Sequence, residues 1–440
     1  MQELDLLIRG ANIVSSNAIQ RADVGIIGKK IFCIGPDLKN PAKSTIDASG
    51  KHIFPGIIDT QVHFREPGMT HKEDLNTGSR SAVLGGVTTF LEMPNTKPPC
   101  TSVEDVQEKI ELGLKKSFAN FGFFIGATGE NLDELVKSQD MIGCPGIKIF
   151  LGSSTGSLLL YERSKLLEIF KTVTCPVAVH SENEDMLKER MDIFKNATSV
   201  HDHYKWRNTE VAMSSTERVI SIAEEAKKKI HVLHITTKDE MEFLATKKEF
   251  CTVETTPQHL SLSAPEIYDE IGTYAQMNPP IRTKEHTTGI WAGLHNGTVD
   301  VLGSDHAPHS KEEKDKGYPY SPSGMPGVQT IFPIMLDHAL NNKLSIGKLC
   351  ELLCETPSKL YSLRTKGFIK ENFDADLTIV DFEKTNIIKD EDMASKCGWT
   401  PFNNKKVKGL ISQTIVMGQV VVNDGKIISS PCGEPIRREQ

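Results

Sequence analysis

The segment Ile57-Ile-Asp-Thr-Gln-Val-His-Phe-Arg65 starts as an apolar run and continues with polar residues at every second position. A period of two is typical of a β-strand, in which successive side chains point to opposite faces. The polar residues that share one face of this predicted strand are Asp59, Gln61, His63 and Arg65. The segment therefore predicts a strand that ends in a cluster of chemically active side chains.

Downstream of this segment, predicted strands and helices alternate over about 300 residues. The predicted strands are 121–127, 147–151, 177–180, 231–235, 251–255 and 299–303, and the predicted helices are 131–138, 163–171, 216–228 and 238–246. A further helix begins at Ser102, which forms a capping-box pattern with Asp105. Repeated alternation predicts parallel strands joined by helical crossovers, and this length favours a closed (β/α)8 TIM barrel.

The two ends of the chain have a different pattern, with short strands separated by Gly, Asn and Pro turns. These strands are predicted at 6–8, 13–14, 23–27, 30–33 and 44–47, and again at 375–381, 406–411, 412–417, 419–422 and 426–428. Each end is short for a hydrophobic core of its own. We therefore predict a composite β-sandwich domain built from residues 1–52 and 367–440, with the barrel formed by residues 53–366.

Most of the predicted barrel strands end near a residue that can bind a metal ion. After the first strand come Lys148, His180, His234 and Asp305, each at or near a strand end. In a (β/α)8 barrel these ends converge on one mouth, where the chemistry takes place. Imidazole and carboxylate ligands suit zinc or a similar divalent ion.

Lys148 has two interpretations. It is either a structural, salt-bridged lysine or an amine whose pKa is lowered among neighbouring cations. A neutral amine reacts with CO₂, and the resulting carbamate is an anion with two oxygens that can bridge two metal ions.

Composition excludes several classes of protein. The 440 residues include 51 Lys and Arg against 58 Asp and Glu, so the net charge of −7 disfavours nucleic-acid binding. No apolar run approaches the roughly 18–20 residues of a membrane span, and no signal peptide is evident. The nine cysteines include no close CxxC pair, which favours reduced thiols and a cytoplasmic location.

The segment from Phe54 to Gly68 resembles the metal-site signature of the cyclic amidohydrolases, and specifically of the dihydroorotase family. Further segments are similar to that family: Glu92-Met-Pro-Asn-Thr96, Met277-Asn-Pro-Pro-Ile-Arg282, Gly303-Ser-Asp-His-Ala-Pro-His309, Asp374-Ala-Asp-Leu377 and Gly398-Trp-Thr-Pro-Phe402. The matches extend from about residue 5 to about residue 425, in the expected order.

The resemblance implies a reversible cyclisation of N-carbamoyl-L-aspartate to (S)-dihydroorotate plus water, in pyrimidine biosynthesis. It implies one or two Zn²⁺ ions per chain, with Asp305 as a ligand and also as the general acid/base. The other implied ligands are His63, carbamylated Lys148, His180 and His234, and the implied substrate-binding residues are Arg65, Asn95, Asn278 and His309. We also expect a homodimer and a small anionic substrate.

Gln61 departs from this pattern, because the first strand of the family usually reads His-x-His. An amide oxygen is a weaker zinc ligand than imidazole, so the metal position that Gln61 would share with Asp305 is weakened. The position held by Lys148, His180 and His234 is unaffected. Residues 201–207 also depart from the family pattern.

Two alternative functions remain open. The first is another cyclic amidohydrolase, an allantoinase or a dihydropyrimidinase. Arg65 and Asn95, which suit a carboxylate on the substrate ring, argue against it. The second is a metal-poor, non-catalytic partner of aspartate transcarbamoylase, which Gln61 favours. The retained His180, His234 and Asp305 argue against this second alternative.

Overall fold

The N-terminal segment forms five strands that precede the barrel. The computed structural model describes residues 1–152 and 158–439. Within that range the first strands are β1 (Leu4–Val14), β2 (Ile19–Ile27), β3 (Lys30–Gly35), β4 (Ala42–Asp47) and β5 (His52–Pro55). The strands predicted at 6–8 and 13–14 are one continuous strand, β1, because its pairing with β2 resumes after an irregularity between Ile8 and Ala11.

The strands of the barrel are buried along their whole length. They are β6 (Ile57–Val62), β7 (Val87–Glu92), β8 (Asn120–Phe123), β9 (Ile125–Gly126), β10 (Ile147–Phe150), β11 (Val177–His180), β12 (Ile230–Val232), β13 (Cys251–Thr255) and β14 (Val301–Leu302). Strands that are covered on both faces usually have continuous apolar sequences, and most of these strands do. All pairs between them are parallel.

The ring of strands closes between its first and last members. Val62 forms a parallel bridge with His306, and the backbone N–H of His63 donates to the carbonyl of His306 at 2.8 Å. Phe124 separates β8 from β9, which together occupy one position of the ring. The described residues therefore supply eight barrel strands, and the predicted (β/α)8 fold is confirmed.

Helices cover the outside of the barrel. The longer ones are Leu75–Leu84, Val103–Lys116, Leu132–Ser138, Arg163–Thr172, Thr209–Ala226, Lys238–Ala245, Lys284–His295 and Ile331–Leu340. Shorter ones are Glu184–Glu189, Met191–Lys195, Asp202–Trp206, Pro257–Ser261, Glu266–Ile271, Lys311–Lys314, Ile346–Cys350 and Thr356–Leu360. The 3-10 turns are Gly272–Ala275 and Asp390–Asp392, and Glu351–Glu355 is π-helical.

Local capping explains where two of these helices begin. Ser102 and Asp105 form the predicted capping box, with each side chain bonded to the backbone N–H of the other residue. The helix expected at 216–228 starts earlier, at Thr209, because the side chain of Asn208 accepts a hydrogen bond from the N–H of Val211.

The C-terminal strands join those of the N-terminus in one mixed sheet. They are β15 (Leu377–Ile387), β16 (Lys406–Val416), β17 (Gln419–Asn423) and β18 (Lys426–Ile427). In the described chain the nine strands of this sheet run β18-β17-β16-β15-β5-β1-β2-β3, with β4 paired to β1. The composite β unit is thus confirmed, while the domain boundaries at residues 52 and 366 stay predictions.

The composite sheet has a hydrophobic core of its own. Both terminal segments contribute to it, through fully buried side chains such as Ile8, Ile53, Leu377 and Ile415. Because the two segments share one core, neither has to bury enough apolar surface by itself. No helix among the described residues is long and apolar enough to cross a membrane.

Candidate active site

The sequence-predicted ligands all lie at the carboxyl end of the barrel strands. His63 follows β6, Lys148 lies within β10, His180 ends β11, and the other two come just after β12 and β14. All five side chains are buried. The five are His63, Lys148, His180, His234 and Asp305. The fold therefore places them around one mouth, as the strand pattern predicts.

His63 and Asp305 form the first contact pair at this mouth. Their Nε2 and Oδ1 atoms are 3.1 Å apart. The same Asp305 oxygen accepts a hydrogen bond from Nε2 of Gln61 at 3.0 Å. The Oε1 atom of Gln61 is buried and has no hydrogen-bond partner among the described residues. Gln61 therefore contributes an N–H donor at the position where the dihydroorotase-like pattern has an imidazole ligand.

His180 and His234 form the second contact pair. Nδ1 of His180 lies 3.0 Å from Nε2 of His234, and the two rings meet edge to face. Burial lowers the pKa of His180 and, further, that of His234. Both rings are therefore neutral near pH 7, and a neutral imidazole is the form that binds metal ions.

Lys148 is fully buried, and its Nζ has no hydrogen-bond partner in the described part of the chain. Its Nζ lies over the ring of Phe150, 4.5 Å from the ring centroid. Burial lowers the pKa of Lys148 to about 7. An amine with this pKa is substantially neutral near pH 7, which is the condition for reaction with CO₂.

These donors fit a divalent cation. Within residues 1–152 and 158–439, no three His, Cys, Asp or Glu side chains come together as a complete site. Lys148 lies near both imidazoles, because after burial its charge also lowers the pKa of His180 and of His234. Two facing imidazole nitrogens and a buried amine without a partner are groups that a cation and a carbamate would satisfy.

The backbone is strained at three of the site residues. Arg65, His234 and Asp305 have positive φ angles of 65°, 35° and 45°. Non-glycine residues rarely adopt this region, and such strain concentrates at functional sites. The predicted alternation is wrong for Arg65: β6 ends at Val62, and Arg65 reaches the mouth through this left-handed conformation instead.

Arg65 lies beside His309, and both residues are predicted to bind substrate. Its Nε donates to the carbonyl of Pro308 at 3.3 Å, and its Nη2 is 3.3 Å from Nε2 of His309. Burial lowers the pKa of Arg65 to about 10 and that of His309 to about 3. Arg65 is thus charged and His309 neutral near pH 7. Among the described residues Arg65 makes no ion pair within 4 Å.

The two predicted asparagines have different surroundings. Asn95 Oδ1 lies 2.7 Å from Nδ1 of His63, which leaves the opposite nitrogen of that ring facing Asp305. Asn278 Oδ1 is buried without a hydrogen-bond partner in the described structure. Asn95 therefore orients a candidate ligand, and Asn278 carries an unused acceptor.

Sequence reasoning missed Glu182 and the role of Trp399. Oε2 of Glu182 lies 2.9 Å from Nε2 of His180. Because Glu182 is two residues beyond His180, strand-like alternation could have placed both side chains on one face. Trp399 donates from Nε1 to the carbonyl of His309 at 2.8 Å, a contact across 90 residues that no local pattern encodes.

Similar proteins and solved structures cover nearly the whole of this chain. A dihydroorotase of Methanosarcina acetivorans is 34% identical over 97% of this chain and 94% of its own length. An allantoinase of Desulfitobacterium hafniense is 31% identical over the whole of both chains. The solved L-hydantoinase (dihydropyrimidinase) from Arthrobacter aurescens superposes with a TM-score of 0.94 at 28% identity, covering 99% of this chain and 100% of that one. Residues 52–421 match the family model described as the amidohydrolase family, and with the relatives above this match shows that the chain belongs to that family.

Proposed function

We propose that this chain is a zinc-dependent dihydroorotase, which interconverts N-carbamoyl-L-aspartate and (S)-dihydroorotate. The observation that carries the proposal is Arg65, a buried guanidinium that makes no ion pair within the described residues and lies at the candidate metal site. A buried charge is costly unless it is paired. A substrate carboxylate is the natural partner, because it matches the planar fork of arginine.

His63, Lys148, His180, His234 and Asp305 would hold one or two Zn²⁺ ions. When bound, the metal would make water a nucleophile near neutral pH and polarise the amide carbonyl. We propose that Lys148 takes part as its carbamate, since its buried amine is neutral enough to capture CO₂. Gln61 directs its Nε2 at Asp305 and so offers no ligand atom there. We therefore propose that a metal ion occupies the position held by Lys148, His180 and His234 more fully than the second position.

The protein residues bind the substrate and move one proton. In ring opening, Asp305 takes a proton from the attacking water as the new C–O bond forms. It delivers that proton to the ring nitrogen as the C–N bond breaks, so ring plus water gives the open ureido acid. Ring closure reverses these steps. Arg65 and His309 would hold the carboxylate, with Asn95 and Asn278 on the remaining polar groups of the substrate.

Other members of the group are the second candidate. The allantoinase relative matches over its full length, and the solved structural neighbours include hydantoinases and dihydropyrimidinases. Arg65 argues for the acidic substrate, because the corresponding uncharged rings have no carboxylate to pair with it. Association with aspartate transcarbamoylase and a homodimeric state are further proposals, which mass measurement with and without that enzyme would test.

The deciding experiment compares substrates on the zinc-loaded protein. Initial rates are measured with dihydroorotate, allantoin, dihydrouracil and hydantoin, and the Asp305→Asn variant serves as the background control. We expect kcat/KM for dihydroorotate to exceed that for each other ring by at least about 100-fold. A single well-placed charged contact, made only with dihydroorotate, can give a ratio of this size. A higher value for any uncharged ring would overturn the assignment.

A further inference from the structure

Both ring nitrogens of His180 are engaged by other side chains. Nδ1 faces Nε2 of His234 at 3.0 Å, and Nε2 faces Oε2 of Glu182 at 2.9 Å. A carboxylate only accepts, so the proton of a neutral His180 lies on Nε2. Nδ1 is then free of a proton and directed at His234. Glu182 therefore selects the tautomer and the ring orientation that a metal ligand at this position needs.

Arg207 holds Glu182 in place. Its Nη1 donates to Oε2 of Glu182 at 2.6 Å, so the same oxygen accepts from both His180 and Arg207. Glu182 is fully buried and Arg207 is 5% exposed. The guanidinium also stacks on the ring of Trp206, with its central carbon 4.5 Å from the centroid. The ion pair of Glu182 and Arg207 therefore contacts His180 at one end and Trp206 at the other.

Arg282 secures the backbone that carries Arg207. Its guanidinium donates from Nη1 to the carbonyl of Arg207 and from Nε to Oγ1 of Thr236, the latter at 3.2 Å. Thr236 lies two residues after His234. A chain of buried polar contacts therefore runs from the His234 segment through Arg282 and Arg207 to Glu182 and His180.

We propose that Arg207 is a positioning residue for the metal ligand His180, acting through Glu182. The inference rests on the proposed metal centre and assigns a role to Arg207, which ends the segment 201–207 whose sequence departs from the dihydroorotase-like pattern. A buried ion pair adds little net stability, because desolvation of both charges offsets their attraction. Its contribution here is the orientation of an imidazole.

The test uses the purified full chain, with metal affinity as the readout. Zn²⁺ affinity is measured by competition with a chromophoric chelator in the parent and in Arg207→Met, Arg207→Lys and Glu182→Gln. We expect the dissociation constant of the tighter ion to rise about 10- to 100-fold in Arg207→Met, the usual effect of losing an outer-shell partner. Arg207→Lys keeps the charge but not the fork, so its loss should be smaller.

A second readout is the visible spectrum of the Co²⁺-loaded proteins, which reports ligand geometry and not only affinity. We expect altered ligand-field bands in Arg207→Met and Glu182→Gln. Lys366→Met is the matched control, because Lys366 forms another buried ion pair, with Asp376 at 2.7 Å and Asp374 at 3.1 Å, at the composite sheet. It should lower the melting temperature and leave Zn²⁺ affinity and the Co²⁺ spectrum unchanged.

The outcomes separate this inference from the proposed function. A parent that binds Zn²⁺ tightly, with Arg207→Met within about twofold of it and an unchanged Co²⁺ spectrum, overturns the positioning role alone. A parent that binds no divalent ion overturns the proposed function and this role with it. If Arg207→Met does not fold, Arg207→Lys and Glu182→Gln decide, and unchanged affinity in both overturns the inference.

Discussion

The side-chain amide of Gln61 donates to Asp305, with Nε2 and Oδ1 3.0 Å apart. The same Oδ1 atom lies 3.1 Å from Nε2 of His63, so one oxygen of the carboxylate contacts both side chains. Turning the amide over would set its oxygen against a carboxylate oxygen, which is repulsive. Gln61 is therefore better suited to orienting Asp305 than to binding a metal ion itself.

The first prediction concerns the proton carrier. Asp305→Asn should lower kcat by at least about 100-fold, because an amide cannot take and return a proton, and general acid–base catalysis contributes roughly 10²–10⁴. The fold should persist, as judged by circular dichroism and melting temperature. The matched control is Asp300→Asn, since Asp300 precedes the same strand and pairs with Lys248 away from the mouth. If Asp305→Asn kept activity within about tenfold of the parent, the assigned role would be wrong.

The second prediction concerns substrate charge. Arg65→Met should raise KM for dihydroorotate by about 10- to 150-fold, the equivalent of a charge-assisted contact of roughly 1.5–3 kcal/mol. Any turnover of dihydrouracil should change far less, because that ring carries no carboxylate. Arg80→Met is the control: Arg80 lies over Phe118 on the helix Leu75–Leu84. Equal losses on both substrates would instead give Arg65 a structural role.

The third prediction concerns pH and CO₂. The pKa of Lys148 is lowered from its ordinary 10.5 to about 7, so the amine loses its proton as pH rises through about 7. In metal-free protein supplied with ¹³C-bicarbonate, a carbamate signal should be strong near pH 8.5 and weak near pH 6, because only the neutral amine reacts. The signal should disappear in Lys148→Met. A signal that persists in this variant would show that Lys148 is not the reactive amine. A signal that appears only above about pH 10 would show that the pKa of Lys148 is not lowered.

Much of this architecture can be predicted from the sequence, because the barrel strands are apolar and end in polar residues. Lys148, His180 and His234 belong to predicted strands, and strand geometry alone brings them to one mouth. Arg65 is different: its position depends on a positive φ after β6 ends, which alternation cannot anticipate. The contact of Arg207 with Glu182 spans 25 residues and arises from packing, so no local periodicity encodes it.

The last prediction concerns Gln61 as the departure from the family pattern. After dialysis the parent should retain its tighter metal and lose, or never fill, the second position, because an amide that donates to Asp305 offers no ligand there. Gln61→His adds an imidazole two residues before His63, near the same carboxylate. Metal content, measured by plasma mass spectrometry after dialysis, should rise toward two ions per chain with no loss of activity. Gln419→His, on an exposed position of β17, controls for adventitious binding by an added histidine. A parent that already holds two ions tightly, unchanged by Gln61→His, would mean that the amide or another residue serves as the ligand and that the departure has no functional effect.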